Sequence, residues 1–446
     1  MTNAVLPIAV TRSGAKDRAA FAADIAAVRA GFAGADPVCI LLEDRYQFTV
    51  ALAAALLNRQ RIVFPPSRAP EAIAAALGGA ANAFVLDDAS AYDALTGRAD
   101  ADGSDFAIGP DALGPALAAG GGRIEVFTSG STGFPVSHRK SWAMLAAGAS
   151  VTEDIFAAAN LAGERFAIVA TTPPQHMYGL EATVFTALAH GRCFYAGTVF
   201  YPEDLAFAAE RLGAAGIERI VLVSSPPHLR FLEDAVAALP AVSVVISATS
   251  PLSSALAERL EAGGTRPVFE IYGSTETGSM AIRRTLAGDD WAVRAGFRFD
   301  THADGIYASA PHLPERVLLG DDLSVEPGNR IRLIGRRGDT VHIAGKRSSL
   351  GALNMAVSEA PGIADAVVAR EPGGTGDDAL RIVAVRDPAS PLSDTEARAA
   401  IRRHMLRHVD PVFVPRKIVF VPSLPRSATG KLTAAALKAL AQRDAL

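Results

Sequence analysis

The chain has 446 residues, 50% of them hydrophobic and 20% charged, with a formal net charge of -4. That length exceeds what one core usually fills and predicts two domains, and the balance is that of a compact enzyme rather than a disordered or fibrous chain. Near-neutral charge without a dense Lys/Arg face gives no footprint for nucleic acid, and no apolar run reaches the roughly 20 residues a membrane span needs. Cys39 and Cys193 sit in separate apolar runs and read as small core residues of a reducing compartment, not as a metal site. The start, "MTNAVLPIAV", lacks a basic region followed by an apolar core, so the expected location is the cytoplasm.

From Val38 short apolar runs alternate with helical stretches: "VCILLED", "YQFTVALAAALLN", "RIVFPP", a helix after Pro70, then "AFVLDD". This is the rhythm of βαβ units and a largely parallel sheet. Between Gly103 and Gly122 the sequence is dense in Gly and Ala and reads as loop and weak helix ahead of a strand carrying Val126. "RFAIVAT", "RCFYAG", "RIVLVSS", "SVVISAT" and "PVFEIYG" follow as strands, each beside an Ala/Leu-rich helix. The expected class is doubly wound α/β, whose ligands bind at the carboxyl ends of the strands. After "RIRLIGRRGD" the character changes: strands at 364–370 and 380–385, a helix over 393–408, the strand "KIVFV" and a closing helix from Leu432. These form an α+β unit of about 100 residues. The expected domains are therefore 1–336 and 337–446. No internal repeat at a solenoid period occurs.

Four stretches carry chemistry. "TSGSTG", at the end of the Val126 strand, offers unobstructed backbone N–H groups and hydroxyl donors, which suit either a phosphate cradle or a flexible surface turn. It is not a Walker A loop; the nearest candidate, "ATGKL", has Pro425 where the first glycine belongs and Leu432 after the lysine. Nor is it a nucleophile elbow, since G-x-S-x-G is absent here. "EIYGSTETG" sets Glu276 beside Thr275, a carboxylate for Mg2+ and a hydroxyl for a phosphate. "GDDLSVEPGNRIRLIGRRGD" supplies carboxylates followed by Arg336, and "LPRSATGKL" offers Lys431 from a Gly-flanked loop.

Singly each is weak; together, in this order, they resemble the adenylate-forming superfamily of acyl- and aryl-CoA synthetases, luciferases and peptide-synthetase adenylation domains. "ILLEDRYQFTVALAAALLNRQRIVFPPSRAPEAI" and "SATSPLSSALAERL" resemble further parts of it. The resemblance implies a large amino-terminal adenylation domain and a small, mobile carboxyl-terminal domain. It implies that Thr128, Ser129, Gly130, Ser131, Thr132 and Gly133 hold the ATP β- and γ-phosphates. Thr275 meets the α-phosphate, Glu276 ligates Mg2+, Asp321 (rather than Asp322) binds the ribose and Arg336 also meets the nucleotide. Lys431 bridges the attacking carboxylate and the α-phosphate; His176 lines the acyl site. Tyr178, Gly179, Ser247, Ala248 and Ile271 line the acid pocket, which Tyr272 and Gly273 join to the nucleotide.

The chain departs from the pattern at several points. Val136 and Ser137 stand where the superfamily has Lys-Gly, and His138, Arg139 and Lys140 are expected in the first turn of the next helix, replacing that charge or simply solvated. Gly338 stands at the hinge, and "IAGKRSSLGALN" keeps Gly345 and Arg347 without the usual acidic residues after them. The alternative for His176 is a packed polar residue. His176 to Gly179 replace the Phe-Asp of amino-acid-activating domains, which disfavours an α-amino acid, though Glu181 keeps an ammonium partner in play. His190 and His342 have no ligand spacing. The implied reaction is ATP- and Mg2+-dependent, AMP-forming activation of an aromatic or fatty carboxylic acid. Its acceptor is coenzyme A or the phosphopantetheine of a separate acyl carrier protein. The alternatives are a nucleotide-binding module that no longer catalyses, and adenylation with a non-thiol acceptor.

Overall fold

The computed structural model describes residues 6–97, 109, 112–129, 135–262, 266–337, 339–343, 346–371, 379–426 and 432. The chain divides into two compact units, Met1–Phe297 with Ser309–Glu315, and Arg298–Ala308 with Arg316–Leu446.

The first unit is α/β with two mainly parallel sheets. One runs in the order Phe84–Leu86, Val38–Ile40, Arg61–Phe64, Arg123–Ser129, Pro135–Lys140, all pairs parallel except the last. The other sets Val268–Ser274, Val242–Ser247, Arg219–Ser224, Phe166–Ala170, Cys193–Tyr195 and Ala9–Val10 side by side in parallel. Gly278–Arg284 then folds back antiparallel on Val268–Ser274. The central runs are unbroken in apolar residues because both faces are covered: Val221 and Val223 enter one core, Ile220 and Leu222 the other. Each fully buried Val, Leu or Ile stabilises by about 1.5–3 kcal/mol against exposure, so a polar residue in such a run needs a specific partner. Glu270 has them: Leu252 N–H, the Arg283 guanidinium and the Thr285 hydroxyl all donate to its carboxylate.

Helix Arg45–Leu57 is buried on every side, as its Ala/Leu/Val run dictates, and Asp44 caps it by accepting from Gln47 N–H. Both cysteines are buried and unpaired. The Gly/Ala-rich stretch contributes the helix Leu113–Gly120. One expectation is corrected. His138, Arg139 and Lys140 lie on the strand Pro135–Lys140, not in a helical turn. Antiparallel pairing with Arg123–Ser129 holds them extended until Ser141, which caps helix Trp142–Ala158 by accepting from Met144 N–H.

The second unit holds the hairpin Asp321–Glu326/Arg330–Arg336 and the hairpin Thr340–Ile343/Lys346–Ser349. Its sheet of Ile363–Arg370, Leu380–Arg386 and Lys417–Phe420 shares a core with helices Leu350–Ser358 and Asp394–His408. Ser393 and Glu396 form a capping box at the second helix. The closing helix expected after Leu432 lies outside the described residues. No described helix is long and apolar enough to cross a membrane.

Candidate active site

The candidate residues Ser129, Ser247, Thr275 and Glu276 lie at or just past the carboxyl ends of parallel strands, where doubly wound sheets leave a crevice. Strand Val268–Ser274 ends in a tight turn whose residues hold one another. Thr277 N–H donates to Ser274 Oγ at 3.2 Å, Ser274 N–H donates to Thr277 Oγ1 at 3.2 Å, and the two hydroxyls lie 3.1 Å apart. Gly278 takes φ 72°, and a Cβ on Gly273 would come within 2.3 Å of its carbonyl oxygen. Both glycines are thus required by the close return of the chain. The turn carries Thr275 and Glu276 outward; the Glu276 side chain is 42% exposed and its Oε1 lies 3.6 Å from His138 Nε2. Burial holds the His138 imidazole below its ordinary range, against the pull of Glu276.

Lys140 stands behind this turn. It is 4% exposed, and its Nζ donates to the Glu276 carbonyl oxygen at 2.9 Å. Burial lowers its pKa while Glu181 and Glu276 act to raise it. Glu181 is 2% exposed and accepts from Ser279 N–H at 3.0 Å and Ser279 Oγ–H at 2.7 Å, both on Oε2. Its pKa is pushed up to about 7 by burial, against the Ser279 bonds and Lys140. It lies in a π-helical stretch, Leu180–Phe185, that Arg45 pins: Arg45 Nε donates to Thr183 Oγ1 at 3.0 Å and its other nitrogen reaches the Thr172 carbonyl at 2.5 Å. Sequence reading missed Lys140 and Glu181 as a pair. The one available signal was Glu181 as a lone charge in the apolar run "YGLEATVFTAL"; nothing in the residues around Lys140 marks it as buried.

The other expected residues fall as follows. Thr128 and Ser129 close their strand opposite Val136 and Pro135. Gly130, Ser131, Thr132, Gly133, Gly338, Gly345 and Lys431 lie outside the described residues. Val136 is 46% exposed. His176 precedes the short helix Met177–Gly179, and its carbonyl accepts from Leu180 N–H at 2.7 Å. Tyr178 is buried, its hydroxyl donating to the Ile246 carbonyl at 2.8 Å. Gly179 packs so closely that a Cβ would lie 2.1 Å from the Pro173 carbonyl oxygen. Ser247, Ala248, Ile271 and Tyr272 are buried on or just past their adjoining strands, and the Tyr272 and Trp291 rings are tilted at 58° with centres 5.8 Å apart.

In the second unit, Asp321 and Arg336 are register partners across one hairpin. Leu432 bridges Arg426, whose guanidinium grips Asp365 at 2.6 and 2.7 Å. His342 lies opposite Arg347 in its hairpin. His190 Nε2 lies 3.2 Å from Ser150 Oγ.

Glu276 and Thr275 form a hard-oxygen donor set on an open turn, which fits Mg2+, a cation held by one or two carboxylates plus phosphate oxygens. Among the described residues no three His, Cys, Asp or Glu gather as a self-sufficient metal cage. A parallel α/β sheet with a hydroxyl and a carboxylate on the turn that ends one of its strands suits an enzyme that handles nucleoside phosphates with a hard cation. The chain belongs to the AMP-binding enzyme family: residues 123–301 match the AMP-binding enzyme model and residues 353–431 its C-terminal domain. It is 28% identical over 316 residues to a 4-coumarate–CoA ligase of Halorhodospira halophila, covering 68% of this chain and 73% of that one. A second 4-coumarate–CoA ligase, from Cereibacter sphaeroides, is 24% identical, with 70% of each chain covered. The fold is that of ATP-bound MatB from Rhodopseudomonas palustris, with TM-score 0.73, 18% identity and coverage of 99% and 96%. It is equally that of the o-succinylbenzoate CoA synthetase of Bacillus subtilis in complex with its acyl-adenylate, with TM-score 0.73, 17% identity and coverage of 98% and 95%.

Proposed function

We propose that the protein is an AMP-forming acid–thiol ligase: it joins a carboxylic acid to the α-phosphorus of ATP, releases pyrophosphate, and passes the acyl group from the adenylate to coenzyme A. The observation that carries this reading is the turn holding Thr275 and Glu276 at the carboxyl edge of the parallel sheet, in a chain of the AMP-binding family. A carboxylate is a poor acylating agent, and its attack on ATP brings negative charges together. The N–H and hydroxyl groups of the Thr128–Gly133 loop, the Thr275 hydroxyl and Lys431 would offset that repulsion. Glu276 would hold Mg2+, which supplies charge neutralisation at the phosphates.

The acid we infer is aromatic; the two matched 4-coumarate–CoA ligases support this over a fatty acid. Ser247, Ala248, Ile271, Tyr178 and Gly179 would bound its pocket, with His176 at the carboxylate end. Asp321 and Arg336 would hold the ribose and nucleotide. A turn of the carboxyl-terminal domain about Arg336–Gly338 would exchange Lys431 for the thiol, dividing 1–336 from 337–446. The phosphopantetheine of a separate acyl carrier protein is the rival acceptor, and a cytoplasmic location goes with either. The test is single-turnover thioester formation from a preformed aryl-adenylate offered coenzyme A and a phosphopantetheinyl carrier in parallel. Faster transfer to coenzyme A is expected; transfer to the carrier alone would reverse the assignment of acceptor.

A further inference from the structure

Two charged side chains buried behind the catalytic turn have no part in the reaction as described. Lys140 reaches the turn from the strand side and donates to the carbonyl of Glu276. Glu181 reaches it from the π-helical side and takes both the N–H and the hydroxyl of Ser279, three residues on. The space for the carboxylate is made by two glycines. A Cβ on Gly148 would come within 2.2 Å of Glu181 Oε1, and one on Gly278 within 2.6 Å. That crowding excludes a ligand from the second carboxylate oxygen, so Glu181 is not the partner of a substrate ammonium. What remains for both groups to act on is the turn between them. We propose that Lys140 and Glu181 are positioning residues, a buried pair of opposite charge that grips the Glu276–Ser279 turn at its two ends and fixes the aim of Glu276 at the metal–nucleotide. The proposal rests on the functional reading above.

A buried Lys–Glu combination is costly to desolvate, and removing one member leaves the other uncompensated, so the two act as a unit. Truncating Lys140 frees the carbonyl end of the turn and leaves Glu181 facing no positive charge. Because the Glu276 carboxylate meets the nucleotide through the cation, the damage appears when the cation is present.

The test is calorimetric binding of ATP with and without Mg2+, together with thermal unfolding, for the unmutated chain, Lys140→Met, Glu181→Leu and the double variant. Lys140→Met is expected to weaken Mg·ATP binding roughly ten-fold and metal-free ATP by less than about two-fold, and the double variant to be no weaker than the worse single one. Lys140→Gln, which keeps a donor for the Glu276 carbonyl, is expected to recover most of the loss. This variant and Glu181→Gln keep the test alive if Lys140→Met does not fold. Equal weakening with and without Mg2+, losses that add in the double variant, or unchanged binding would each overturn the pair. Failure of the functional reading looks different: an unmutated chain that binds Mg·ATP, with the pair behaving as expected, yet exchanges no pyrophosphate with any acid.

Discussion

At Glu181 the environment sets a measurable pH dependence. Its pKa rises from 4.5 to about 7 on folding, because burial penalises the charged form. The native state therefore binds the proton more tightly than the unfolded chain. Its contribution to stability is complete below about pH 4.5 and is lost as pH rises through about 7, a change of up to about 3 kcal/mol. Glu181→Gln, which cannot titrate, is expected to flatten that part of the stability profile; chemical unfolding of both proteins from pH 4.5 to 7.5 checks it. A profile of unchanged slope would mean that the group does not titrate in this window. The sequence shows that Glu181 exists beside Tyr178 and Gly179, but not that its carboxylate turns to Ser279. That direction comes from the π-helical stretch, which no local pattern signals.

Elements explain why those side chains stay where they are. The parallel strands were legible, since apolar runs such as Arg219–Ser224 and Val242–Ser247 are short, uninterrupted and set apart by helices. Strand Pro135–Lys140 was not legible. "VSHRK" has no apolar alternation, and only the partner strand Arg123–Ser129 holds it extended, a pairing invisible in a local window. Helix Trp142–Ala158 is fitted to the site by one missing methyl group, at Gly148. Gly148→Ala is expected to destabilise the fold by about 1–3 kcal/mol, although Ala is the better helix former, because the new methyl meets the Glu181 carboxylate. In a Glu181→Ala background the same change is expected to become neutral or stabilising by up to about 1 kcal/mol. Denaturant midpoints of the four proteins give the answer, and an equal penalty in both backgrounds would locate the cost elsewhere in the helix.

For the whole molecule, the order of motifs carried more than any one of them. Thr128–Gly133, Thr275–Glu276, Asp321–Arg336 and Lys431 are spread over 300 residues of chain, and only their sequence along it pointed to a two-part adenylating enzyme. The two family models agree that the chain is an AMP-binding enzyme with a C-terminal domain. How the acid is chosen was not legible, because the size of a pocket depends on packing among buried side chains rather than on residue type. The proposed turn of the carboxyl-terminal domain also makes a prediction. Gly338→Pro, which fixes φ at the expected hinge, should leave pyrophosphate exchange near the unmutated rate while slowing thioester formation at least about ten-fold. Equal loss of both steps, measured by exchange and single-turnover transfer, would argue against a turn at this position.

Acid activation at the nucleotide site is read by acid-dependent ATP–pyrophosphate exchange. Exchange is expected with a cinnamate- or benzoate-type acid, little with fatty or amino acids, and none with any acid in Lys431→Ala. Retained ATP binding with no exchange across the whole panel would contradict it and leave a nucleotide-binding module in which Val136 and Gly338 mark lost catalysis.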